Sequence, residues 1–357
     1  MGSVNDALRD RTIQHAISVL RYGTGTAQDI VKLLNSADAD ILEKLGARLA
    51  GIEERGFDIG KKATARLNAM LDEIAAFNSA IYERIETALT DELTDFATSE
   101  AGFHRENLVT SIGADLGTTL PAASRLRAIV TETPMEGRLL ASWAKGMETG
   151  RMDRITQAVR LGMVQGEGSD KIVARIRGTK AARYEDGVLQ ISRRSAQAIV
   201  RTSVNHVSNV AAQTTWKANE HLVKGWQFLA TFDSRTTATC AGLSGQVFPL
   251  GEGPIPPRHV NCRSITVAVT KSFRELGVDK DELPVSKRAS MDGQVSGDTT
   301  FNKWLTMKGT ATQDKILGKT RAELFRSGKL DLQDFIKADG TVLTLDQLTA
   351  KYGDILS

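Results

Sequence analysis

The chain has 357 residues, 46 Lys and Arg against 43 Asp and Glu, and a formal net charge of +3, too small to mark the whole chain as a nucleic-acid binder. Hydrophobic residues make up 41% and charged residues 25%, the balance of an ordinary folded protein, which excludes a disordered chain; no apolar run approaches the ~18 residues that cross a bilayer. Two or three packed units are expected at roughly 100 to 200 residues each, and the two cysteines, Cys240 and Cys262, exclude a secreted disulfide framework and fit a reducing compartment.

The N-terminus, Met1 to Asp6, lacks the charged-then-apolar profile of a signal peptide, and Asp6 stands where a myristoylation signal wants Ser or Thr. The protein is expected to stay where it is made, without a lipid anchor. Proline is absent before Pro121, so the first third can be almost all helix. Asp6 to Tyr22 and Ala27 to Arg55 show helical periodicity. From Lys61 to Ala101 there is neither Gly nor Pro, and Leu67, Met70, Leu71, Ile74, Phe77, Ile81, Ile85, Leu89, Leu93 and Phe96 recur at three- and four-residue steps. This predicts one apolar stripe on a long helix within an antiparallel array, with more apolar surface than one small module covers, to be buried against other helices or against a docking partner.

Pro121 and Pro134 bracket a break, after which Met135 to Arg160 and Ser169 to Arg177 read as helices, with Ser169 as an N-cap. Gly162, Gly166 and Gly168 form a glycine-rich turn, but no Gly-Lys-Ser/Thr follows to grip a phosphate. Ser192 caps a Pro-free, Gly-free amphipathic stretch to Ala218, the main helix of a second module. Between Arg151 and Arg201 eleven Lys and Arg face five Asp and Glu, so this stretch carries +6; it is a set of solvated helix faces or a surface for an acidic partner or DNA. Then Lys224 to Thr231, Gln246 to Phe248 and the alternating Ser264 to Thr270 predict a small antiparallel sheet. Four of the seven prolines lie between Pro249 and Pro257 with Gly251 and Gly253, marking a loop.

Such a sheet needs a helix over one face, so Lys224 to Val269 is expected to pack on the Ser192 to Ala218 helix and bury Trp226, Phe228, Phe232, Val247 and Phe248, with Leu243 turned inward. Lys271 to Thr300 reads as a polar linker. A helical tail follows, with capping boxes at Thr320/Glu323 and Thr344/Gln347. The fold class is α+β, predominantly α: a helical region over residues 1–150, a small antiparallel-sheet module on a long helix over 151–270, a linker over 271–300 and a C-terminal helical tail over 301–357.

The most distinctive residues are Phe232-Asp233-Ser234-Arg235-Thr236, then Cys240-Ala241-Gly242-Leu243-Ser244-Gly245-Gln246-Val247-Phe248, and Pro256-Pro257-Arg258-His259-Val260-Asn261-Cys262-Arg263-Ser264. In this order they resemble the core of the phage Mu protein F-like minor head proteins, with an Asp-x-Arg-Thr strand end, a Cys before a Leu-x-Gly turn, and Pro-Pro-x-His-x-x-Cys-Arg. Ala198-Ile199-Val200-Arg201-Thr202 and Gly178-Thr179 also resemble the family. The resemblance covers Met152 to Val269, and Trp304-Leu305, Leu317-Gly318 with Arg321, and Thr344-Leu345 with Leu348 resemble a tail of some phage head proteins. It implies a non-enzymatic minor capsid protein of a tailed bacteriophage, without cofactor. Such a protein docks at the portal or inner head surface during head assembly and DNA packaging. The implied partners are the portal protein and/or the major capsid protein, with packaged DNA met through residues 151–201. The implied location is the virion head, and the host cytoplasm during assembly.

Arg201, Asp233, Arg235, Cys240, Gly245, His259, Cys262 and Arg263 are expected to act structurally, with Arg201 as the charge partner of Asp233. Many family members carry further cysteines at the positions of Thr237 and Ser264. A tetrahedral zinc site on that pattern is therefore short of ligands, and the expectation is that Cys240, His259 and Cys262 pack the base of the loop without stoichiometric metal. A Cys240–Cys262 disulfide is geometrically open. A ββα-metal nuclease is disfavoured by the strand-like Ile265 to Val269 after the Cys/His segment, and an ADP-ribosyltransferase by the missing Glu-x-Glu pair. His15, His104, His206 and His221 fit no ligand or catalytic spacing. The alternative to head assembly is a DNA-handling protein, a nuclease or an ejected DNA-binding factor, motivated by the +6 stretch and the Cys/His cluster.

Overall fold

The computed structural model describes residues 4–54, 61–272, 274–276, 287–290, 293–296, 299–337 and 341–356. It is α+β and mostly α. In chain order the long helices are α1 (Val4–Glu53), α2 (Lys61–Ile112), α4 (Leu140–Val164) and α6 (Val188–Ala218), with α3 (Ala123–Thr131) and α5 (Ser169–Arg177) between them. Then come β1 (Val223–Leu229), α7 (Ala238–Leu243), β2 (Val247–Pro249), β3 (Ile265–Thr270), β4 (Lys287–Ser290) and β5 (Gly293–Ser296). Four short helices close the order, α8 (Phe301–Thr306), α9 (Thr310–Leu317), α10 (Lys319–Arg326) and α11 (Leu345–Leu356), with a 3-10 turn at Leu332–Phe335.

The chain forms two compact units that interleave in sequence: Met1–Leu20, Phe96–Ile129 and Asn205–Ser357 make one, Arg21–Asp95 and Val130–Val204 the other. The expected segments at 1–150, 151–270, 271–300 and 301–357 were consecutive; the units instead alternate because α1, α2 and α6 each run from one into the other.

The second unit is helical. Its core joins Leu45, Leu49 and Ile52 of α1, Leu67, Met70 and Leu71 of α2, Ile155 and Val159 of α4, Ile172 and Ile176 of α5, and Leu189 of α6, the three- and four-residue spacing that places side chains on one helix face. Of the α2 stripe, every member but the half-buried Phe77 is buried, so of the two expected ways of covering it the structure shows burial within the chain, and not an exposed face kept for a partner. α1 also runs unbroken where two segments were expected, since Gly23 is helical and lies against Val204; a Cβ there would meet its Cγ1 at 3.3 Å. Inside this unit Arg151 is fully buried and donates to Asp38 Oδ1 at 2.5 Å, while Arg193 Nη2 reaches Oδ2 at 2.5 Å.

The first unit holds the sheet, in order β2-β1-β3 with both pairings antiparallel and Trp226 opposite Phe248 on one side and Ala268 on the other. Its face lies on the C-terminal half of α6, where Ala212 and Trp216 share a core with Trp226, Phe228 and Phe232. Asn209 of α6 accepts the Thr266 amide at 2.8 Å and Asn205 donates to the Ser264 carbonyl at 3.0 Å, which satisfies polar groups at the start of β3. Leu243 is buried as expected, but Val247 is 56% exposed, on the opposite side of its strand from Phe248, which is itself only partly buried against the core.

The C-terminal helices belong to the same core. Phe232 meets Phe301 at 5.3 Å and Trp304 at 5.4 Å between ring centroids. Within the expected linker, Lys287–Ser290 and Gly293–Ser296 pair as a hairpin. Of the two capping boxes, Thr344/Gln347 forms in both directions at 3.1 and 3.2 Å, whereas α10 starts one residue before Thr320 on Gly318, so the Thr320/Glu323 box does not form. Helix starts differ similarly at α5, capped by Gly168 with Ser169 bonded to Glu53, and at α6, which begins at Val188, a turn before Ser192.

Candidate functional site

The segment after β1 turns on Asp233. Its Oδ1 accepts the Arg235 amide at 2.9 Å, and the Thr236 hydroxyl donates back to the Thr231 carbonyl. This turn delivers Thr237 as the N-cap of α7, its hydroxyl accepting from the Cys240 amide at 3.4 Å. Two residues past the end of α7 comes Gly245, whose φ of 93° lets the chain double back so that its amide meets the Phe228 carbonyl at 2.8 Å. After β2 the chain runs through a cis Pro256–Pro257 peptide into a tight turn closed by the Cys262 amide on the His259 carbonyl at 3.1 Å.

Two groupings result. In the first, Arg263 forks onto Asp233, Nη2 to Oδ1 at 2.8 Å and Nη1 to Oδ2. Burial alone would raise the Asp233 pKa; the Arg263 hydrogen bonds, the Arg235 amide and the two positive charges outweigh it and hold it at about 2. The expected partner, Arg201, is exposed on α6, so the pairing is corrected: the motif's own Arg263, one residue past Cys262, reaches the carboxylate. Arg235 contributes its amide; its side chain is 74% exposed with a guanidinium 3.6 Å from Asp233.

In the second, Cys240 Sγ and Cys262 Sγ lie 3.8 Å apart as free, buried thiols, and a His259 ring nitrogen joins them with all three donor atoms within 4.8 Å of one another. Their shared hydrogen bond splits the pair. Cys262 is held low by that bond, against burial and helped by His259 and the Arg258 amide; Cys240 is pushed up by the same bond and by burial.

Sequence spacing gave no sign of a third polar cluster, in which Glu100 accepts from the Ser208 hydroxyl at 2.5 Å and bonds His15 Nε2 at 2.6 Å. His104 stands beside it, edge-on to Trp216, and burial lowers its pKa to about 4. Thr12, His15, His104, Asn209 and Arg263 line a small cavity there. The serine is bonded to the carboxylate and not to an imidazole. Only the fold brings these groups together, from α1, α2 and α6, and each is unremarkable in its own helix.

Residues 153–267 match the family model described as phage Mu protein F like protein. The chain carries a Mu F-like region. It runs from the second half of α4 through α5, α6, β1, α7 and β2 into the first half of β3, and it contains Asp233, Cys240, His259, Cys262 and Arg263. No curated protein and no solved structure matches the chain. The Mu F-like family points to phage head morphogenesis and to a structural protein. Among the described residues no helix is long and apolar enough to cross a membrane.

Proposed function

We propose that this chain is a non-enzymatic minor head protein of a tailed bacteriophage that docks at the portal or the inner head surface during head assembly and DNA packaging. Its partner is the portal protein or the major capsid protein, and its place is the virion head, reached from the host cytoplasm. The Mu F-like match over residues 153–267 carries this reading. Polar groups in and beside the region support it, because they are partnered within the fold: Asp233 by Arg263, and Glu100, outside the matched residues, by His15 and Ser208. The basic stretch is also partly used inside the fold, with Arg151 and Arg193 on Asp38, Arg175 on Glu167 and Arg194 on Glu185.

Complementation of a deletion phage tests the role. Without the chain, lysis and DNA replication should proceed while infectious particles fall sharply, and supplying the chain in trans should restore them with the protein present in purified heads. Wild-type particle yield and infectivity in its absence would overturn the reading, and DNA cleavage by the purified chain would replace it with a nuclease.

A further inference from the structure

We propose that Cys240, Cys262 and His259 form a binding site for one thiophilic divalent cation, zinc by its chemistry, with three protein ligands and a fourth position open. The thiols are 22 residues apart in sequence and come from different pieces of chain, one from α7 and one from the turn before β3, yet their sulfurs stand 3.8 Å apart. Two thiolates bound to zinc at roughly 2.3 Å and a tetrahedral angle are separated by about 3.8 Å. The same bond angle with an imidazole nitrogen at about 2.0 Å sets sulfur-to-nitrogen separations near 3.5 Å. The donor atoms here lie within 4.8 Å of one another, so the sulfurs already stand at the zinc spacing and the half-buried His259 is the ligand that would move inward on binding.

Exposure favours entry from one side. Cys240 and Cys262 are 1% and 3% exposed, whereas His259 is half-buried, so the sulfurs close the floor of the site and the imidazole forms its rim. An ion arriving from solvent meets His259 first and keeps a water or a partner's ligand on its open side. Thr237 caps α7, its hydroxyl accepting from the Cys240 amide, and Ser264 lies two residues past Cys262, so both flank the thiols without supplying further ligands. The shortage of ligands read in the sequence is a shortage for a closed four-ligand site; it is the right number for an open one. Mechanically, the ion would tie α7 to the Pro-rich loop over residues 250–264, a stretch without helix or strand of its own.

The test uses the full chain, expressed with zinc supplied and purified without chelator, then dialysed and assayed for metal and for free thiols. Close to one zinc per chain is expected. After chelation, cobalt(II) should give sulfur-to-cobalt charge-transfer absorption of the intensity of two thiolates, bleached by zinc. Cys262→Ser should abolish retention. Because a buried cysteine variant can fail to fold, His259→Ala provides the second arm: it should keep the chelated protein's circular-dichroism melt while weakening zinc binding by about a hundredfold. Three results would each overturn the site: folded wild type that retains no zinc, a cobalt titration without thiolate absorption, or a Cys240–Cys262 disulfide in protein purified anaerobically. Unchanged zinc affinity in His259→Ala would do so as well.

Discussion

Asp233 and Arg263 set the stability of the turn that leads into α7. Arg263→Ala would leave a mostly buried carboxylate without its bidentate partner, and a loss of about 2 kcal/mol is expected in urea or thermal denaturation. Arg201→Ala, at an exposed position, should stay within about 0.5 kcal/mol, so the two variants distinguish the observed pairing from the one read in the sequence. The pair also fixes a pH dependence. The folded-state pKa of Asp233, about 2, lies below the ordinary 3.8, so the contribution is complete above pH 4 or so and disappears as pH falls through about 2. Allowing for solvent screening, it is on the order of 1 kcal/mol, and Asp233→Asn should flatten that part of the acid-stability curve. At this scale the partner of Asp233 could not be read from the sequence. A helix-borne Arg201 and a loop-borne Arg263 are almost equally far from Asp233 along the chain, and only the direction in which the chain enters β3 decides between them.

Among the elements, helices and strands were legible because their patterns are local: the α2 stripe is the buried face of one helix, and Ser264 to Thr270 alternates as β3 does. Their ends were harder to read. Gly23 suggests a break, yet it serves close packing on Val204, and Ser192 suggests a start, yet α6 begins a turn earlier. The Asp38, Arg151 and Arg193 cluster was invisible, since it joins residues 113 and 155 positions apart. It yields a sharp prediction. Asp38→Ala should cost about 3–5 kcal/mol, because it strands the guanidinium of Arg151, which is 0% exposed. Asp38→Leu combined with Arg151→Met should recover much of that loss by replacing the charges with apolar volume. Equal destabilisation in the double variant, measured by chemical denaturation, would show that the cluster has a role beyond neutralising its own charges.

For the whole molecule the question is which surface meets a partner, and the burial of α2 changes the answer. Ile85 and Leu89 are 1% and 2% exposed, so Ile85→Ala or Leu89→Ala should each cost about 2–5 kcal/mol and lower incorporation into heads only by lowering the amount of folded protein. A DNA partner would have to use the basic stretch, and there the structure reduces the supply of free charge. Of its eleven cations, Arg151, Arg175, Arg193 and Arg194 already face carboxylates. Phosphate binding scales with the cations free to displace counterions, with a slope in log affinity against log salt of about −0.9 for each phosphate neutralised. The purified chain should therefore bind duplex DNA weakly, with a shallow salt slope, and reversing Arg193 should harm folding before it harms binding, since that side chain holds Asp38. Docking on portal or capsid protein, in contrast, should persist as salt is raised through the range that strips DNA. A steep slope together with sub-micromolar affinity at physiological salt would move the role toward DNA, and salt-resistant co-sedimentation with heads lacking DNA would hold it with the protein shell.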